Sequence, residues 1–358
     1  MDFAAVDKQL HSVHPYPCKF PSSTVRAYLA EPGRKILDPF CGSGTTILEA
    51  AIHGNSVVGI DVNPIAVLIS RAKLASLDVQ DHLRLSELVE EIGRVKNFAN
   101  FDLPDFHGKE HWFSKGARQS FGLLRSHIDS LGRESEPWNV AATALSSLVN
   151  RFSNQDTETR YARVDRDVDP QAVLTAFRNK MATFLAGLDA RGELDSRWTR
   201  QIVFGDIRTD SEIEVDSVDL VITSPPYANT MDYYLYHKQR MNVLGFNFKD
   251  AQNSEIGSRY EFSSKKAPKE KWDEDYLEAL ETVYRKLKQG GKAIYVIGDS
   301  QIAGELIDGG LMTVRLGREA GFEARILESV SMSGKSKLFN HNFQSKNKNE
   351  HVVELVKS

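Results

Sequence analysis

The chain has 358 residues, with 45 Lys+Arg against 49 Asp+Glu and a formal net charge of −4. At 41% hydrophobic and 26% charged residues, its composition excludes a long disordered chain, a collagen-like repeat and a supercharged nucleic-acid coat. The length suits one large domain, or one domain with a sizeable insertion. The longest apolar runs, such as Ala293–Gly298, are too short to span a bilayer, and no basic segment followed by an apolar one opens the chain.

In chain order, β-like runs alternate with helical stretches. Lys35–Asp38 is a short apolar run ending in a carboxylate, and a Gly-rich turn follows it. Thr45–His53 is apolar at helical spacing, with Gly54-Asn55 as its C-cap. Ser56–Ile60 is a second β-like run, and it ends at Asp61. Strand, Gly-rich turn, helix, strand and acid are the opening of a doubly wound α/β sheet. The alternation then stops. Leu83–Val95, Ala117–Leu131, Trp138–Phe152 and Pro170–Leu188 read as helices joined by polar loops, an α-helical insertion beside or over the sheet. Strand texture resumes at Arg200–Phe204, followed by Gly205-Asp206, and again at Val218–Thr223. Asp273–Gln289 reads as an amphipathic helix stopped by Gly290-Gly291, Lys292–Ile297 as a strand and Leu311–Ala320 as a helix. Phe322–Val330 and His351–Val356 read as a closing antiparallel pair. The expected fold is α/β, with a mostly parallel seven-stranded sheet and a helical insertion between its second and third strands. Three regions follow: residues 1–62 with an N-terminal lid and the first half of the sheet domain, the helical insertion 63–199 as a candidate target-recognition region, and 200–358 with the second half and the loop at Ser224.

The sharpest local signal is Asp38-Pro-Phe-Cys-Gly-Ser-Gly-Thr-Thr46. Two glycines one residue apart allow a tight turn and close approach of a ligand to backbone. The helix that follows points free N–H groups at that place. The Walker pattern would need a lysine where Thr45 stands, and the dinucleotide pattern a third glycine where Ile47 stands. An acid ending the first strand repels a pyrophosphate and welcomes a cation, and Asp61 is placed to hold a ribose hydroxyl pair. A cationic nucleoside with a ribose and no phosphate is S-adenosylmethionine. The second signal is Thr223-Ser-Pro-Pro-Tyr227, directly after a buried run. Two prolines remove two donors and leave carbonyl oxygens and the Ser224 hydroxyl as acceptors, with Tyr227 as a ring. An exocyclic amine needs acceptors for its hydrogens and a surface for its base.

Together these motifs resemble the amino-group DNA methyltransferases, which modify cytosine N4 or adenine N6, in their Ser-Pro-Pro-Tyr form. His14-Pro-Tyr-Pro-Cys-Lys-Phe-Pro21 resembles the family's N-terminal cofactor motif, and Ala228–Gly245 and Glu255-Ile-Gly-Ser-Arg259 resemble further segments of it. The resemblance covers about Val13–Ile60 and Gln201–Ser300 and fades across the insertion. It implies a class I methyltransferase-like (Rossmann-like) fold with S-adenosylmethionine as cofactor. It also implies roles residue by residue. Asp38, Phe40, Gly42, Gly44 and Thr45 would shape the cofactor pocket, Asp61 would hold the ribose and Asp206 the adenine amine. Lys19 and Phe20 would close over the cofactor. Ser224 and Pro225, with Pro226, would take the target amine, and Tyr227 would stack on a base flipped out of double-stranded DNA. Acceptors for both amine hydrogens favour a pyramidal, nucleophilic nitrogen, and alignment with the sulfonium methyl supplies much of the rate.

Within the resembled family a serine at the first motif position, here Ser224, leans towards cytosine N4 and an Asp or Asn towards adenine N6, so the resemblance implies cytosine N4. An RNA amino-methyltransferase and an inactive DNA-binding protein on the same fold stay open. Cytosine C5 chemistry would need a nucleophilic cysteine. Cys18 precedes the cofactor loop and lacks that context, so it reads as a small buried residue of the lid, and Cys41 as a small residue of the turn. Two cysteines make neither a disulfide framework nor a four-ligand zinc site, so a reducing cytoplasm is the expected setting. The ten histidines show no ligand spacing and imply no metal. His14 and His237 flank the expected site and read as satisfied polar residues. For DNA contact, Arg160 and Arg163 in the loop Ser153–Arg166, Arg259, and Lys335 and Lys337 within Ser333–Lys348 are the candidates, although the first loop also reads as simply solvated. The lysines of Ser263–Lys271 are a similar case. A monomer or dimer, with a cognate restriction endonuclease or other defence partner, completes the expectation. A basic face is expected on the side of Ser224 and Tyr227, masked in the net charge by acids elsewhere.

Overall fold

The computed structural model describes residues 3–29, 31–331 and 348–358. Its centre is a seven-stranded sheet. In chain order the strands are β1 (Lys35–Asp38), β2 (Ser56–Asp61), β3 (Arg200–Phe204), β4 (Val218–Thr223), β5 (Leu287–Gly298), β6 (Glu323–Ser331) and β7 (Asn349–Val356). They lie in the order β3-β2-β1-β4-β5-β7-β6. The first five are parallel, and β7 runs antiparallel between β5 and β6. This is the mostly parallel seven-stranded sheet expected from the alternation of runs, in the class I methyltransferase-like arrangement that the family resemblance implies. The order reverses between β1 and β4, so the carboxyl ends of those two strands flank a crevice where ligands bind in open α/β sheets.

The helices used below are α1 (Ser22–Tyr28), α2 (Thr45–Ile52), α3 (Pro64–Leu74), α4 (Val79–Arg94), α5 (Lys115–Asp129), α6 (Glu136–Leu148), α7 (Pro170–Arg191), α8 (Tyr233–Leu244), α9 (Phe248–Ser254), α10 (Lys269–Lys286) and α11 (Gly309–Glu319). Alternate strand residues face opposite sides of the sheet. Ile36, Val57, Leu220 and Ile294 enter one apolar cluster with α2 to α8, whereas Leu37, Val58, Val221 and Ala293 enter a second with α10 and α11. The helices α4 to α7 therefore share the sheet's own core. Asp78, Ser135 and Asp169 cap three of them by accepting backbone N–H groups.

The end of α10 differs from the sequence expectation. The helix stops at Lys286, and Gly290-Gly291 lies inside β5. Leu287 is fully buried and pairs with Val218 of β4, so tertiary burial claims it for the sheet before the glycines are reached. Gly290, at φ +76°, donates to the Lys357 carbonyl at 2.7 Å and forms a kink within the strand.

Candidate active site

The turn after β1 is built as its glycines require. Gly42 and Gly44 have φ of +48° and +73°, and a Cβ on Gly44 would stand 2.6 Å from the Ser70 hydroxyl oxygen. The Gly42 N–H donates to Asp61 Oδ2 at 2.8 Å, and the Asn63 N–H donates to Asp61 Oδ1 at 2.8 Å. One carboxylate thus ties the β1 turn to the end of β2. Asp38 accepts the Thr223 hydroxyl at 2.6 Å and the Phe40 N–H at 3.2 Å, which ties β1 to the last residue of β4, immediately before Ser224.

Around these ties lies a cavity that brings together Lys19, Phe20, Asp38, Phe40, Gly42, Thr45, Asp61, Asp206, Ser224 and Pro226. Gly44 shapes the turn from behind, against Ser70. Pro225 is buried in the loop and Tyr227 is half-buried beside it. The Lys19 ammonium donates to the carbonyls of His11 and His14 at 2.8 and 2.7 Å, so it braces the N-terminal segment over the cavity. Burial pulls its pKa down to about 8, with Lys180 acting the same way. Asp206 caps the short turn Ile207–Thr209 and pairs with Arg208 at 2.6 Å, and Arg208 also holds Asp275 at 2.5 Å.

Tyr16, Cys18, Asn63, Tyr233 and Glu255 also line the cavity; Cys18 lies in the lid segment as expected but is exposed, not buried, and the motifs imply no role for the other four there. Tyr16 lies in the N-terminal motif and stacks on Tyr233, with ring centroids 6.1 Å apart. Glu255 accepts the N–H groups of Tyr233 and Tyr234 at 2.7 and 2.9 Å and so caps α8. The only sequence signal for Glu255 is its place in the Glu255–Arg259 segment; its meeting with Asp61 is tertiary.

The electrostatics are those of a site made for a cation. Burial raises the Asp38 carboxyl to about 7, against bonds from Thr223, Phe40 and Thr46. Burial raises Asp61 to about 6, against the Asn63 and Gly42 N–H bonds. Glu255 stands at about 8, raised first by burial and also by Asp232 and Asp61. Three desolvated carboxylates around one cavity are costly when ionised, and a bound cation offsets that cost. Asn63 further leaves its buried Nδ2 without a hydrogen-bond partner among the described residues. The residues therefore fit a positively charged ligand bearing hydroxyl and amino groups.

His14 and His237 do not face this cavity. Both are buried; His14 bonds Ser146 at 2.9 Å, whereas His237 packs among the rings of Tyr16, His14 and Tyr236 with neither ring nitrogen partnered among the described residues. The expectation of a satisfied polar residue thus holds for His14 and fails for His237, whose ring packs against three aromatic rings and finds no hydrogen-bond partner among the described residues.

A second cleft opens next to the catalytic loop, and it brings Arg160 and Arg259 together with Gln155, Thr159, Asn229 and Thr230. One wall is the segment 153–166. It is a built hairpin, closed by a bridge between Gln155 and Arg163. Arg166 donates to the carbonyls of Ser153, Gln155 and Asp156. Fully buried Arg240 of α8 holds Glu158 at 2.5 Å, and Trp112 packs on Tyr161. The reading of this segment as a merely solvated loop is thereby corrected. Arg160 is exposed and pairs with Asp156 at 3.0 Å; Arg163 pairs with Asp165 and does not line the cleft. Lys335 and Lys337 lie outside the described residues. In Ser263–Lys271, Lys271 pairs with Asp275, and Lys265 lies over the Tyr260 ring. No helix among the described residues is long and apolar enough to cross a membrane.

Residues 6–71 and 218–358 match the family model N6_N4_Mtase, described as DNA methylase, which is more than half of the chain. The type II methyltransferase M.MvaI of Kocuria varians is 25% identical over 224 residues, 57% of this chain and 48% of the relative. M.BsoBI of Geobacillus stearothermophilus is 23% identical over 329 residues, 80% and 64% of the two chains. M.MjaII of Methanocaldococcus jannaschii is 35% identical over 95 residues, 26% and 18%. The chain thus spans less than two thirds of the length of each of these relatives. Among solved structures, a TehB-like S-adenosylmethionine-dependent methyltransferase from Corynebacterium glutamicum aligns over 99% of this chain at 12% identity, with a TM-score of 0.35, too low to carry an argument.

Proposed function

The chain belongs to the DNA methylase family, and we propose that it methylates an exocyclic amine of a base in double-stranded DNA, cytosine N4 in particular. S-adenosylmethionine is the cofactor and supplies an electrophilic methyl group on a cationic sulfur. The observation that carries this reading is the cavity itself: Asp38, Asp61 and Glu255, with raised pKa values, share one wall system with Ser224 and Pro226.

The chain's residues divide the work. Asp61 would accept ribose hydroxyls through the lone pairs that Gly42 and Asn63 leave free, and Asp38 and Glu255 would offset the positive charge. Lys19 and Phe20 would cover the cavity from the N-terminal segment and exclude water. Asp206, held by Arg208, would accept from the adenine amine. The Ser224 hydroxyl and the Pro225 carbonyl would accept the two hydrogens of the target amine, and Tyr227 would support the flipped base. The tie from Asp38 to Thr223 couples the two halves, since it fixes the residue next to Ser224 against the cofactor turn. The cleft beside the 153–166 hairpin would take the adjoining DNA strand, with Arg160 and Arg259 near phosphates or base edges. As the relatives are named type II methyltransferases, a cognate restriction endonuclease is the partner proposed here.

The test is direct. Purified protein is incubated with methyl-labelled S-adenosylmethionine and duplex DNA, and the digested nucleosides are separated. Label in N4-methylcytosine is the expected result. Label in N6-methyladenine would correct the base, label transferred only to RNA would correct the substrate, and cofactor binding without transfer would leave a DNA-binding protein.

A further inference from the structure

Tyr227 is held from a place the catalytic loop does not reach by itself. Its hydroxyl donates to Glu350 Oε1 at 3.1 Å, across 123 residues of sequence. Its ring edge lies against Gly298, where a Cβ would stand 2.6 Å from Tyr227 Cε2 and 3.0 Å from Cδ2. Gly298 and Glu350 are directly opposite each other in the antiparallel β5–β7 pair. One cross-strand pair therefore supplies both contacts: a residue without a side chain for the ring to lie on, and a carboxylate for the hydroxyl. The following turn is tied to the same side. Asn229 donates to the Gln301 carbonyl at 2.8 Å, and the Thr230 hydroxyl donates back to the Tyr227 carbonyl at 2.7 Å.

A tyrosine side chain has two main torsions. Contacts at the ring edge and at the hydroxyl fix both, and a hydrogen bond to a carboxylate is among the stronger kinds. Burial, and then Glu350, push the Tyr227 hydroxyl well above its ordinary pKa, so it remains a donor. Free rotation of the ring, as on an unsupported surface loop, is prevented.

We propose that Glu350 is a positioning residue for the reaction: together with Gly298 it sets the angle of Tyr227, and through that ring the placement of the target base. The inference rests on the base-supporting role of Tyr227 given above. Glu350 itself touches no substrate. It acts by removing ring orientations in which the amine would miss the Ser224 hydroxyl and the methyl donor, and small misplacements in such geometry are costly in rate.

A double-mutant cycle tests this. Tyr227→Phe, Glu350→Ala and the double variant are compared for kcat, for KM with duplex DNA, and for S-adenosylmethionine affinity. Each single variant is expected to lose about tenfold in kcat, with cofactor affinity within about twofold and the double variant no worse than the weaker single one. Glu350→Gln keeps an acceptor and should recover most of the loss. Gly298→Ala displaces the ring while sparing both hydrogen-bonding groups, and it should lower kcat in the same range. With 2-aminopurine at the target position, Glu350→Ala should also change the fluorescence of the flipped base. A purely structural Glu350 would lower thermal stability and leave kcat and that fluorescence unmoved. Undiminished kcat in Glu350→Ala, or multiplicative losses in the double variant, overturns the proposal. Should Glu350→Ala fail to fold, Tyr227→Phe removes the same bond together with the contact of the Tyr227 hydroxyl to Ser224, and full kcat there overturns it equally. A wild-type chain that methylates no DNA removes the proposed function first, a result distinct from an active chain with an additive cycle.

Discussion

At the ends of β1 and β2, Asp38 and Asp61 are sunk in the cavity wall, where burial raises their pKa values and the bonds they accept come from neighbouring turns and from Thr223 at the end of β4. On the other side of the catalytic loop, the 153–166 hairpin deploys arginines. Arg166 is consumed by carbonyls of its own hairpin, Arg240 braces it from beneath, and Arg160 stays exposed at the cleft. In the first region no salt bridge pairs Asp38 or Asp61 among the described residues, and a cationic ligand would offset the cost of ionising them. In the second, most charges are internal struts and few remain for a partner. A net charge of −4 conceals both uses, because it counts a strut and a binding group alike.

The largest effect is expected at the loop after β4, where the two regions meet. Ser224→Ala should lower turnover by about 100-fold or more, with S-adenosylmethionine affinity unchanged by calorimetry; equal loss of both would merge the two regions into one. Asp61→Ala should do the reverse. Removing an acceptor for charged or polar groups is worth about 1.5–3 kcal/mol, so cofactor affinity should fall by about one to two orders of magnitude, with turnover at saturating cofactor far less affected.

A subtler test uses pH. Asp38, Asp61 and Glu255 titrate in the fold at about 7, 6 and 8, above their ordinary values of 3.8, 3.8 and 4.5. Between these limits the folded chain holds protons that the unfolded chain has released. The stability these groups contribute is thus complete at low pH and lost as pH rises through the folded values. A cationic cofactor prefers the ionised forms, so its affinity should rise over the same interval. Calorimetry from pH 5.5 to 8.5 should show tighter binding with increasing pH, accompanied by proton release. The difference in Tm between wild type and Asp38→Asn should shrink or reverse as pH rises. Buried His14 and His237, held well below their ordinary pKa, tilt total stability the other way, so only the difference between variants reports on the carboxylate.

The smallest expected effect sharpens the hairpin side. Arg160→Ala should weaken DNA binding a few-fold and reduce the salt slope by about one if it meets a phosphate. A change in the methylated sequence context instead would assign it to a base edge. Arg163→Ala, paired with Asp165 away from the cleft, should do neither.

Much of the site is legible in the amino-acid sequence because its requirements are local. A Gly42-Ser-Gly44 turn needs positive φ at both glycines, and it has it. Acids that end apolar runs sit at the carboxyl ends of strands, so Asp38 and Asp61 come near each other once β1 and β2 pair in register. The serine after Thr223 follows the same rule. The stop of α10 is misplaced by a local reading for the opposite reason: glycines are a local signal, but Leu287 answers to the core. The arginines of the hairpin cannot be sorted into struts and contacts from composition, since pairing partners such as Glu158 and Arg240 lie 82 residues apart.

Sequence alone thus determined the turn chemistry, the strand ends and the order of the motifs, all of which depend on neighbours along the chain. Only the tertiary structure decided which distant groups complete them. Glu255 reaches the cavity by capping α8, and Glu350 meets Tyr227 because β7 enters the sheet antiparallel beside β5. No pattern of spacing encodes those meetings. They arise where separate elements, each burying its own apolar face, are brought into one core.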